Sequence, residues 1–547
     1  MKIPFILLLC FLCFLAYFNR LNNGFILDDE FLIVNNPLIK SSKFLMSVFK
    51  SSPGDYYILS QSYNKMYRPL QTLTYSIEYK IWKLNALGYH FTNILLHLFN
   101  SILIYYLLLI IFNNSTLSKI ASIFFLIHPI HISVVSYVAS RADLLVSFFI
   151  LLSLLSFLKF ISQRSHKYYI LSLLFAVLAL LSRENAMSLF IYIALVLFII
   201  KSKLKDYSYV IPFVLLNLLY FLLRFIVFGQ NAIAIHPLLL TLPLRLINFF
   251  NIVPRYLLIL LFPLDLHMMR TTPFILQMLD SKTILAITSF IFFVIVVIKF
   301  RNNKLLIFSI FWFFIGILPI FLYMDGYVML GEAMMAESWI YLSSVGFFNL
   351  FFVIKKRWAR LSNMLILFMT IFFTFLTFIN NNYWRNNIIF YENILEHSIA
   401  RNYIRKNLIS EYIQIGLFEK ALVEIKKLSV YYPEDKDLFL LHGHYYYSTK
   451  RIPMAIEKYN MVLKKNEDFC AYYSLSLCYE KLGQLDDAIG YALKAVNMNP
   501  YYKLALIKLG DLYKKKTQIL LTKRYYQKAL EIDPDDKILK EKIRNAE

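Results

Sequence analysis

The chain has 547 residues, of which 59% are hydrophobic, and its mean hydropathy is +0.57. Repeated apolar runs of about 15 to 20 residues, separated by short polar breaks, exclude an ordinary soluble protein and predict a multi-pass membrane protein. The net charge of +23 does not indicate nucleic-acid binding. Many of the basic residues stand in the short breaks between apolar runs, where they are typical of the cytoplasmic side.

Eleven segments are predicted to cross the membrane, and a further segment, 247–263, is predicted to be re-entrant because Pro254 and Arg255 interrupt it. The alternative, a full crossing by this segment, would put one basic break on the wrong side. With the basic breaks in the cytoplasm, the loop after the first span lies outside, as does everything after residue 380. The predicted spans lie near 3–19, 91–112, 119–138, 143–162, 168–181, 186–200, 209–228, 283–299, 305–323, 338–354 and 362–380.

Three consecutive carboxylates, Asp28, Asp29 and Glu30, follow the first span at the start of a long outer loop, about 20–90. Apolar residues flank them on both sides, so we expect them to be held at the membrane surface rather than on a solvated tether, which is the alternative. A carboxylate fixed in such a place can act as a general base or bind a cation. A divalent metal could sit on these acids, but no ligand-loop motif decides the question.

Two later outer breaks each combine an arginine with an acid, Arg141 with Asp143 and Arg183 with Glu184. Arginine binds phosphate well because it stays charged and presents a planar fork of donors. The 13 glycines form no phosphate-binding loop of the kind that soluble nucleotide enzymes use. The pattern therefore indicates a phosphate-bearing lipid as substrate, whereas simple interfacial anchoring is the alternative for each residue.

Histidines near the outer face form another candidate group. His90, Asn93 and His97 fall on one face of a helix, and His128 begins a His-Pro-x-His motif close to the outer end of its span. Hydrogen bonding between helices and a functional role remain equal alternatives for the first three residues.

After residue 380 the long apolar runs stop and a repeat of about 34 residues appears, the length of a tetratricopeptide (TPR) repeat. Small residues stand where paired helices must touch, and a proline ends the second helix of a repeat. We expect about four repeats stacked as a superhelix with a concave face. The predicted domains are 1–382 in the membrane, a linker helix at 383–400 and the repeats at 401–547. The clearest repeat is marked by Tyr472, Leu475, Ser476, Tyr479, Ala488, Ala492, Ala495 and Pro500.

Several short motifs, in their order along the chain, resemble the transmembrane and TPR repeat-containing O-mannosyltransferases, members of the GT-C glycosyltransferase superfamily. The likeness covers nearly the whole chain, and each motif is weak by itself. The motifs are the acidic pair with Asn36-Pro37 behind it, Tyr67-Arg68-Pro69-Leu70, Tyr89-His90 with Asn93 and His97, His128-Pro129-Ile130-His131, Arg141-Ala142-Asp143-Leu144-Leu145, Tyr220 to Arg224, and Ala336-Glu337 with Tyr341 to Phe347.

The resemblance implies an all-α fold, with a GT-C-type membrane domain followed by a TPR superhelix. It implies an enzyme that takes a sugar from a polyprenyl-phosphate carrier, with Asp28 or Asp29 as the base and no nucleic-acid partner. The repeats would hold the protein or glycan acceptor. Ser338 follows Glu337 where the family is expected to have Arg, so a phosphate contact there is in doubt. The positions implied to bind substrate are Arg68, His90, His128, Arg141, Asp143, Arg183, Glu184 and Glu337.

The abundance of Ile, Lys, Asn, Tyr and Phe suggests an AT-rich genome and a bacterial relative. The expected location is then the bacterial inner membrane with periplasmic repeats, and the expected carrier is undecaprenyl phosphate. The alternative is the endoplasmic-reticulum membrane with lumenal repeats. Two rival functions remain: a non-catalytic TPR scaffold for envelope polysaccharide assembly or export, and a transporter, which would favour ionisable residues near mid-membrane.

Overall fold

The computed structural model describes residues 2–40, 48–49, 67–228, 241–273, 275, 283–323, 328–329, 332–357, 359–397 and 402–546. They form two compact units. We call the described residues of 1–32, 49–52 and 62–385 the membrane unit, and those of 33–48, 53–61 and 386–547 the repeat unit. Both units are built almost entirely from helices, as predicted.

Apolar helices make up the membrane unit, and their buried faces form one continuous core that includes Phe124, Leu144, Tyr192, Trp312 and Phe348. The helices before residue 386 are α1 (Lys2–Tyr17), α2 (Pro37–Lys40), α3 (Pro69–Trp82), α4 (Ala86–Phe112), α5 (Ser115–Ile127), α6 (Ile132–Val135), α7 (Arg141–Gln163), α8 (His166–Ser182), α9 (Leu189–Ile199), α10 (Ile211–Phe228), α11 (Leu242–Leu261), α12 (Thr283–Lys299), α13 (Lys304–Tyr323), α14 (Ser344–Phe348), α15 (Leu350–Arg357) and α16 (Ala359–Asn380). Of these, α2 belongs to the repeat unit.

Every predicted membrane segment has a helical counterpart in the described residues. Seven helices are long and apolar enough to cross a membrane, or eight if the bent pair Ser115–Ile127 and Pro129–Val135 is one span, and four shorter apolar helices accompany them. The bent pair turns by 51°, because Pro129 cannot donate a backbone hydrogen bond and restricts the residue before it. The segment 338–354 is likewise broken, into a 3₁₀ turn, α14 and α15. The chain is a multi-pass membrane protein.

The segment predicted to be interrupted at Pro254 is instead one continuous helix, α11, with the proline inside it. The interruption predicted at Pro254 is therefore wrong. Beyond α11 the chain returns alongside the helix. Asn248 binds both backbone groups of Ile275 in this returning segment. Its Nδ2 donates to the carbonyl at 2.8 Å, and its Oδ1 accepts from the amide at 2.9 Å. Arg245 donates to the carbonyl of Phe321, near the end of α13, at 3.2 Å.

A small antiparallel sheet, which the sequence did not predict, lies beside α11. Its strands are β1 (Arg270–Pro273), β2 (Val328–Met329) and β3 (Glu332–Met335), in the order β1-β3-β2. In the register of the first pair, Arg270 lies opposite Met335. The sheet therefore connects β1, in the segment after α11, with β3, which leads to Glu337.

Two ion pairs mark opposite ends of the helical hairpin α7–α8. At one end, Arg164 makes two hydrogen bonds to the carboxylate of Asp206, at 2.7 and 3.0 Å, and so joins two of the basic breaks. At the other end, Arg183 contacts Asp143. The basic breaks and the candidate site residues thus lie at opposite ends of this hairpin.

The repeat unit contains four helix pairs, each offset from the next by about one TPR length, within the described residues. Helix α17 (Asn387–His397) precedes them, where a linker helix was predicted, and packs on the first pair: Glu392 accepts from the hydroxyl of Tyr412 at 2.6 Å. The helices are α18 (Asn402–Gln414) with α19 (Phe418–Tyr431), α20 (Lys436–Ser448) with α21 (Ile452–Lys465), α22 (Phe469–Lys481) with α23 (Leu485–Met498), α24 (Lys503–Lys515) with α25 (Ile519–Ile532), and the terminal α26 (Lys537–Arg544).

Glycines allow the paired helices of the repeats to approach closely. A Cβ atom at Gly443 would overlap the ring of Tyr459, and one at Gly510 would overlap the ring of Tyr526. Both tyrosines are buried. The small-residue and tyrosine positions of the repeat pattern are therefore complementary parts of one contact.

Candidate active site

The acidic motif lies in a tight turn after α1. Leu27, directly before it, has a φ of +47°, a left-handed conformation that is strained for a side chain other than glycine. Asp29 is fully buried; its two carboxylate oxygens accept the backbone amides of Ile26, at 3.1 Å, and Ala139, at 2.8 Å. Burial raises the pKa of Asp29 to about 7, against the opposing effects of these amides and of Arg20.

The three acids do not converge. Asp28 is half-buried and its backbone amide donates to the hydroxyl of Tyr137 at 3.1 Å, whereas Glu30 is exposed. Among the described residues, these carboxylates do not bring three ligand atoms close enough together to hold an ion. A metal shared by all three acids therefore has no support from this arrangement.

Arg20 is a component that sequence reasoning missed. Its guanidinium group is fully buried, donates to the carbonyl of Trp384 at 2.5 Å and contacts the carbonyl of Ser136. Its positive charge partly opposes the rise in the pKa of Asp29 that burial causes. The sequence does indicate that Arg20 needs polar partners, because it is an arginine near the end of an apolar helix. Its partners, Ser136 and Trp384, are too far away in the chain to be identified from the residues around it.

Arg141 occupies a place different from the expected donor pocket. It is fully buried; Nε donates to Asn93 Oδ1 at 2.8 Å, one Nη donates to the carbonyl of Tyr89 at 2.8 Å, and the other contacts the carboxylate of Glu78. Its donors therefore bind α3 and α4 to the start of α7. Glu78 was another partner that the sequence analysis did not identify.

Two ion pairs bring together four of the predicted residues. Arg68 binds Glu184 at 2.9 Å, and Arg183 contacts Asp143. Burial alone would raise the pKa of Glu184, but the guanidinium groups of Arg68 and Arg183 outweigh it and lower that pKa to about 2. Segments far apart in sequence thus place two guanidinium groups and two carboxylates in one cluster, which we call the ion-pair cluster.

The ion-pair cluster borders a small cavity. Its volume is about 30 Å³, which is space for roughly one water molecule. The Nε–H of Arg183 is buried and has no hydrogen-bond partner among the described residues. The opening beside Arg183 therefore holds little more than one water molecule. The cavity is lined by Arg183, Glu184, Asn185, Gly316, Pro319, Ile320 and Trp339.

Glu337 is buried at the start of a 3₁₀ turn, two residues before Trp339 of the cavity wall. It accepts the backbone amide of His267 at 3.0 Å. Burial raises its pKa to about 8, against the effects of Arg270 and of that amide. Arg270 therefore supplies the positive charge that acts on Glu337. The next residue in the chain, Ser338, is uncharged.

The histidines are held between helices. His90 Nε2 lies 3.3 Å from the carbonyl of Gly24, and His97 Nδ1 lies 2.7 Å from the hydroxyl of Tyr341. His128 Nε2 lies 3.0 Å from the carbonyl of Leu260, at the end of α11. All three are fully buried, so their hydrogen bonds connect elements of the membrane unit.

A larger, apolar cavity of about 590 Å³ opens between α11, α12, α13 and α14. Nearly all of its wall is hydrocarbon. The residues that line it include Val253, Pro254, Leu257, Leu261, Phe292, Phe293, Val296, Phe313, Phe314 and Phe347.

Comparison with known proteins identifies the repeats directly. The family model for the tetratricopeptide repeat matches residues 471–502 and 505–536, which contain α22 to α25. The crystal structure of a thermophilic TPR protein, TTC0263 of Thermus thermophilus, covers 29% of this chain and 88% of its own, with 19% identity and a TM-score of 0.27, a score too low to support a conclusion.

Curated relatives carry the name protein O-mannosyl-transferase. F38B6.6 of Caenorhabditis elegans is 34% identical over 157 residues, which is 28% of this chain and 23% of that protein. Human TMTC3 is 33% identical over 142 residues, 26% of this chain and 15% of that protein. Xenopus laevis tmtc2 is 35% identical over 153 residues, 28% of this chain and 18% of that protein.

The resemblance to O-mannosyltransferases is confirmed, although these relatives align with 26–28% of this chain and not with nearly all of it. The aligned part spans less than a quarter of each of these relatives. What the comparisons support is a membrane protein that resembles glycosyltransferases and carries TPR repeats.

Proposed function

We propose that this protein is a membrane glycosyltransferase that moves a sugar from a polyprenyl-phosphate carrier to a protein or glycan hydroxyl on the non-cytoplasmic face. The observation that carries the proposal is the strained, buried turn that fixes Asp28 and Asp29 beside the loop leading into α7. That loop is followed directly by Arg141 and Asp143. The names of the similar proteins support the same class of reaction.

Asp28 is the better candidate for the base. Both oxygens of Asp29 already accept backbone amides inside the protein, so they are poorly placed to reach an acceptor. Asp28 is adjacent and only half-buried. In this assignment Asp29 is a positioning residue, because its two hydrogen bonds hold the turn against Ala139 and so fix where Asp28 points.

The reaction then follows from the charges. The Asp28 carboxylate removes the proton of the acceptor hydroxyl as its oxygen attacks the anomeric carbon. The bond between that carbon and the phosphate oxygen breaks, and the lipid phosphate leaves with the electron pair. Attack from the face opposite to the leaving group inverts the anomeric configuration. Arg183 and Arg68 would stabilise the growing phosphate charge, which is most valuable in a dry site.

The lipid part of the carrier also has a suitable surface. A polyprenyl chain is entirely hydrocarbon, and the wall of the apolar cavity between α11, α12 and α13 is nearly so. Apolar contacts of this kind favour binding of a hydrocarbon chain but take no part in the reaction. The bound tail would thereby keep the phosphate near the membrane surface.

The side of the membrane follows from the basic breaks. Arg164 and Asp206 lie at the end of the α7–α8 hairpin opposite to Arg183 and Asp143. Because basic loops favour the cytoplasm, the candidate site would face outward, to the periplasm of a bacterium or the lumen of the endoplasmic reticulum.

Gene replacement in the source organism tests the function against the scaffold alternative. We expect deletion to remove one hexose from envelope or secreted glycans, detected by mass spectrometry, and the wild-type gene to restore it. A gene encoding Asp28→Asn, expressed at the same level, should not restore it. If the Asp28→Asn gene restores the glycan fully, the protein acts as a scaffold and the enzyme assignment fails.

A further inference from the structure

The chain directly after the acidic motif belongs to the repeat unit. Residues 33–40, here called the anchor segment, group with the helices after residue 386. Ile33, Asn36, Leu38 and Ile39 are all buried, although the segment has only the end of a π-helical turn (Glu30–Val34) and the short helix α2. A segment of an outer loop would normally stay solvated, so its burial indicates a specific contact.

Lys40 provides that contact. Its ammonium group lies 3.3 Å from Asp533 Oδ2, and the two side chains are only 7% and 11% exposed. Asp533 directly follows α25, the second helix of the last pair. Lysine is rarely buried unless it is paired, and removing one partner of a buried pair leaves an uncompensated charge. The end of the anchor segment is therefore fixed to the last repeat.

The chain before the acidic motif is held as well, within the membrane unit. Asn19 Nδ2 donates to the carbonyl of Phe378 at 2.8 Å, and the amide of Gly24 donates to the carbonyl of Arg385 at 3.2 Å. Arg385 is the last residue before the chain enters the repeat unit. The chain before the motif is thus held within the membrane unit, and the anchor segment after it is held within the repeat unit.

We propose that the Lys40–Asp533 pair restrains the loop that follows the acidic motif, so that loss of the pair loosens residues 31–40 and, through the chain, the placement of Asp28. Lys40 and Asp533 are positioning residues in this scheme, since they act through the eleven residues between Asp28 and Lys40. The effect on sugar transfer rests on the proposed function, whereas the mechanical link between loop and repeats does not. The repeats would therefore restrain the loop in addition to holding an acceptor.

Hydrogen exchange of the full-length protein in lipid nanodiscs tests the link directly. Lys40→Met should raise the exchange of amides in residues 31–40 by about tenfold, because the segment loses its anchor and opens locally. Lys40→Arg keeps a cation and should stay near wild type. Lys503→Met is the matched control, because Lys503 binds the same carboxylate at 2.9 Å from within the repeats; it should leave residues 31–40 unchanged.

Transfer kinetics add the catalytic readout. With the carrier lipid as donor, Lys40→Met should lower kcat about tenfold at unchanged donor KM, and Lys40→Arg should restore it. Unchanged exchange at residues 31–40 in Lys40→Met overturns the proposal, and so does equal exchange in Lys40→Met and Lys503→Met. Raised exchange together with an inactive wild type supports the link and contradicts the proposed function instead.

Discussion

Charged residues are used differently in the two units. In the membrane unit, Arg141 pairs with Glu78 across 63 positions of the chain, and both side chains are buried. In the repeat unit, Lys542 pairs with Asp511 across 31 positions, about one repeat, and both are about a third exposed. The buried pair of the membrane unit joins distant segments in the protein interior. The pair of the repeat unit lies at the surface of helices that apolar and glycine–tyrosine contacts already hold together.

The comparison predicts its largest effect at Arg141. Arg141→Met leaves the Glu78 carboxylate buried and uncompensated, so we expect a loss of about 3–5 kcal/mol of stability. The measurement is the midpoint of thermal unfolding of the purified protein in detergent. Glu78→Gln should be similarly harmful, but the double variant Arg141→Met, Glu78→Gln should lose clearly less than the two single losses added together. Additive losses would mean that the two residues do not act as a pair.

A smaller but sharp effect is expected inside the repeats. Gly510→Ala places a methyl group against the buried ring of Tyr526, and overpacking of this kind costs about 1–3 kcal/mol. Gly490→Ala is the control, because a Cβ there meets nothing within 4 Å. That change should be neutral or stabilise its helix by up to about 1 kcal/mol. Melting of both variants by circular dichroism decides, and equal effects would refute the close helix contact.

The ion-pair cluster predicts a pH dependence. The pKa of Glu184 is lowered to about 2 in the folded protein, so its ionised form adds stability above the ordinary carboxyl pKa of about 4.3, and this contribution is lost as the pH falls towards 2. Arg68→Met removes one cause of the shift. The difference in unfolding midpoint between wild type and Arg68→Met should be constant from pH 5 to 8 and shrink below pH 4. A difference independent of pH would exclude the pairing.

The smallest effect is expected at an exposed pair of the repeat unit. Asp486 is 86% exposed and contacts Lys516. Asp486→Ala should change the unfolding free energy of the protein by no more than about 0.5 kcal/mol, since such pairs are worth little in water. A loss comparable to that of Arg141→Met would remove the distinction between the two units.

The same distinction explains what the sequence could predict. In the repeats, contacts recur at a fixed spacing, so the repeat pattern indicates where small residues let paired helices touch, as Gly510 and Tyr526 do. In the membrane unit, apolar composition predicted where helices lie. It did not predict that α11 continues through Pro254. Nor did it predict the small sheet beside α11, whose strands β1 and β3 are far apart in the chain.

The candidate site shows a similar division. Arg68, Asp143, Arg183 and Glu184 were predicted as site residues, and they do gather in one cluster. Their pairing, and the partners Arg20 and Glu78, depend on segments that meet only after folding. Arg141 was expected in the same pocket, but it binds Glu78 and Asn93 because the polar groups of α3 and α4 surround it.

The most direct test of the central claim is donor turnover by the purified protein in nanodiscs. The assay would follow the release of polyprenyl phosphate from polyprenyl-phosphate sugars, with acceptor present, for wild type, Asp28→Asn and Glu30→Gln. Glu30 is the matched control, as an exposed carboxylate two positions away. We predict turnover by wild type and Glu30→Gln, and at least about a hundredfold loss in Asp28→Asn, the size of a lost general base. Equal turnover by Asp28→Asn and wild type would contradict the account.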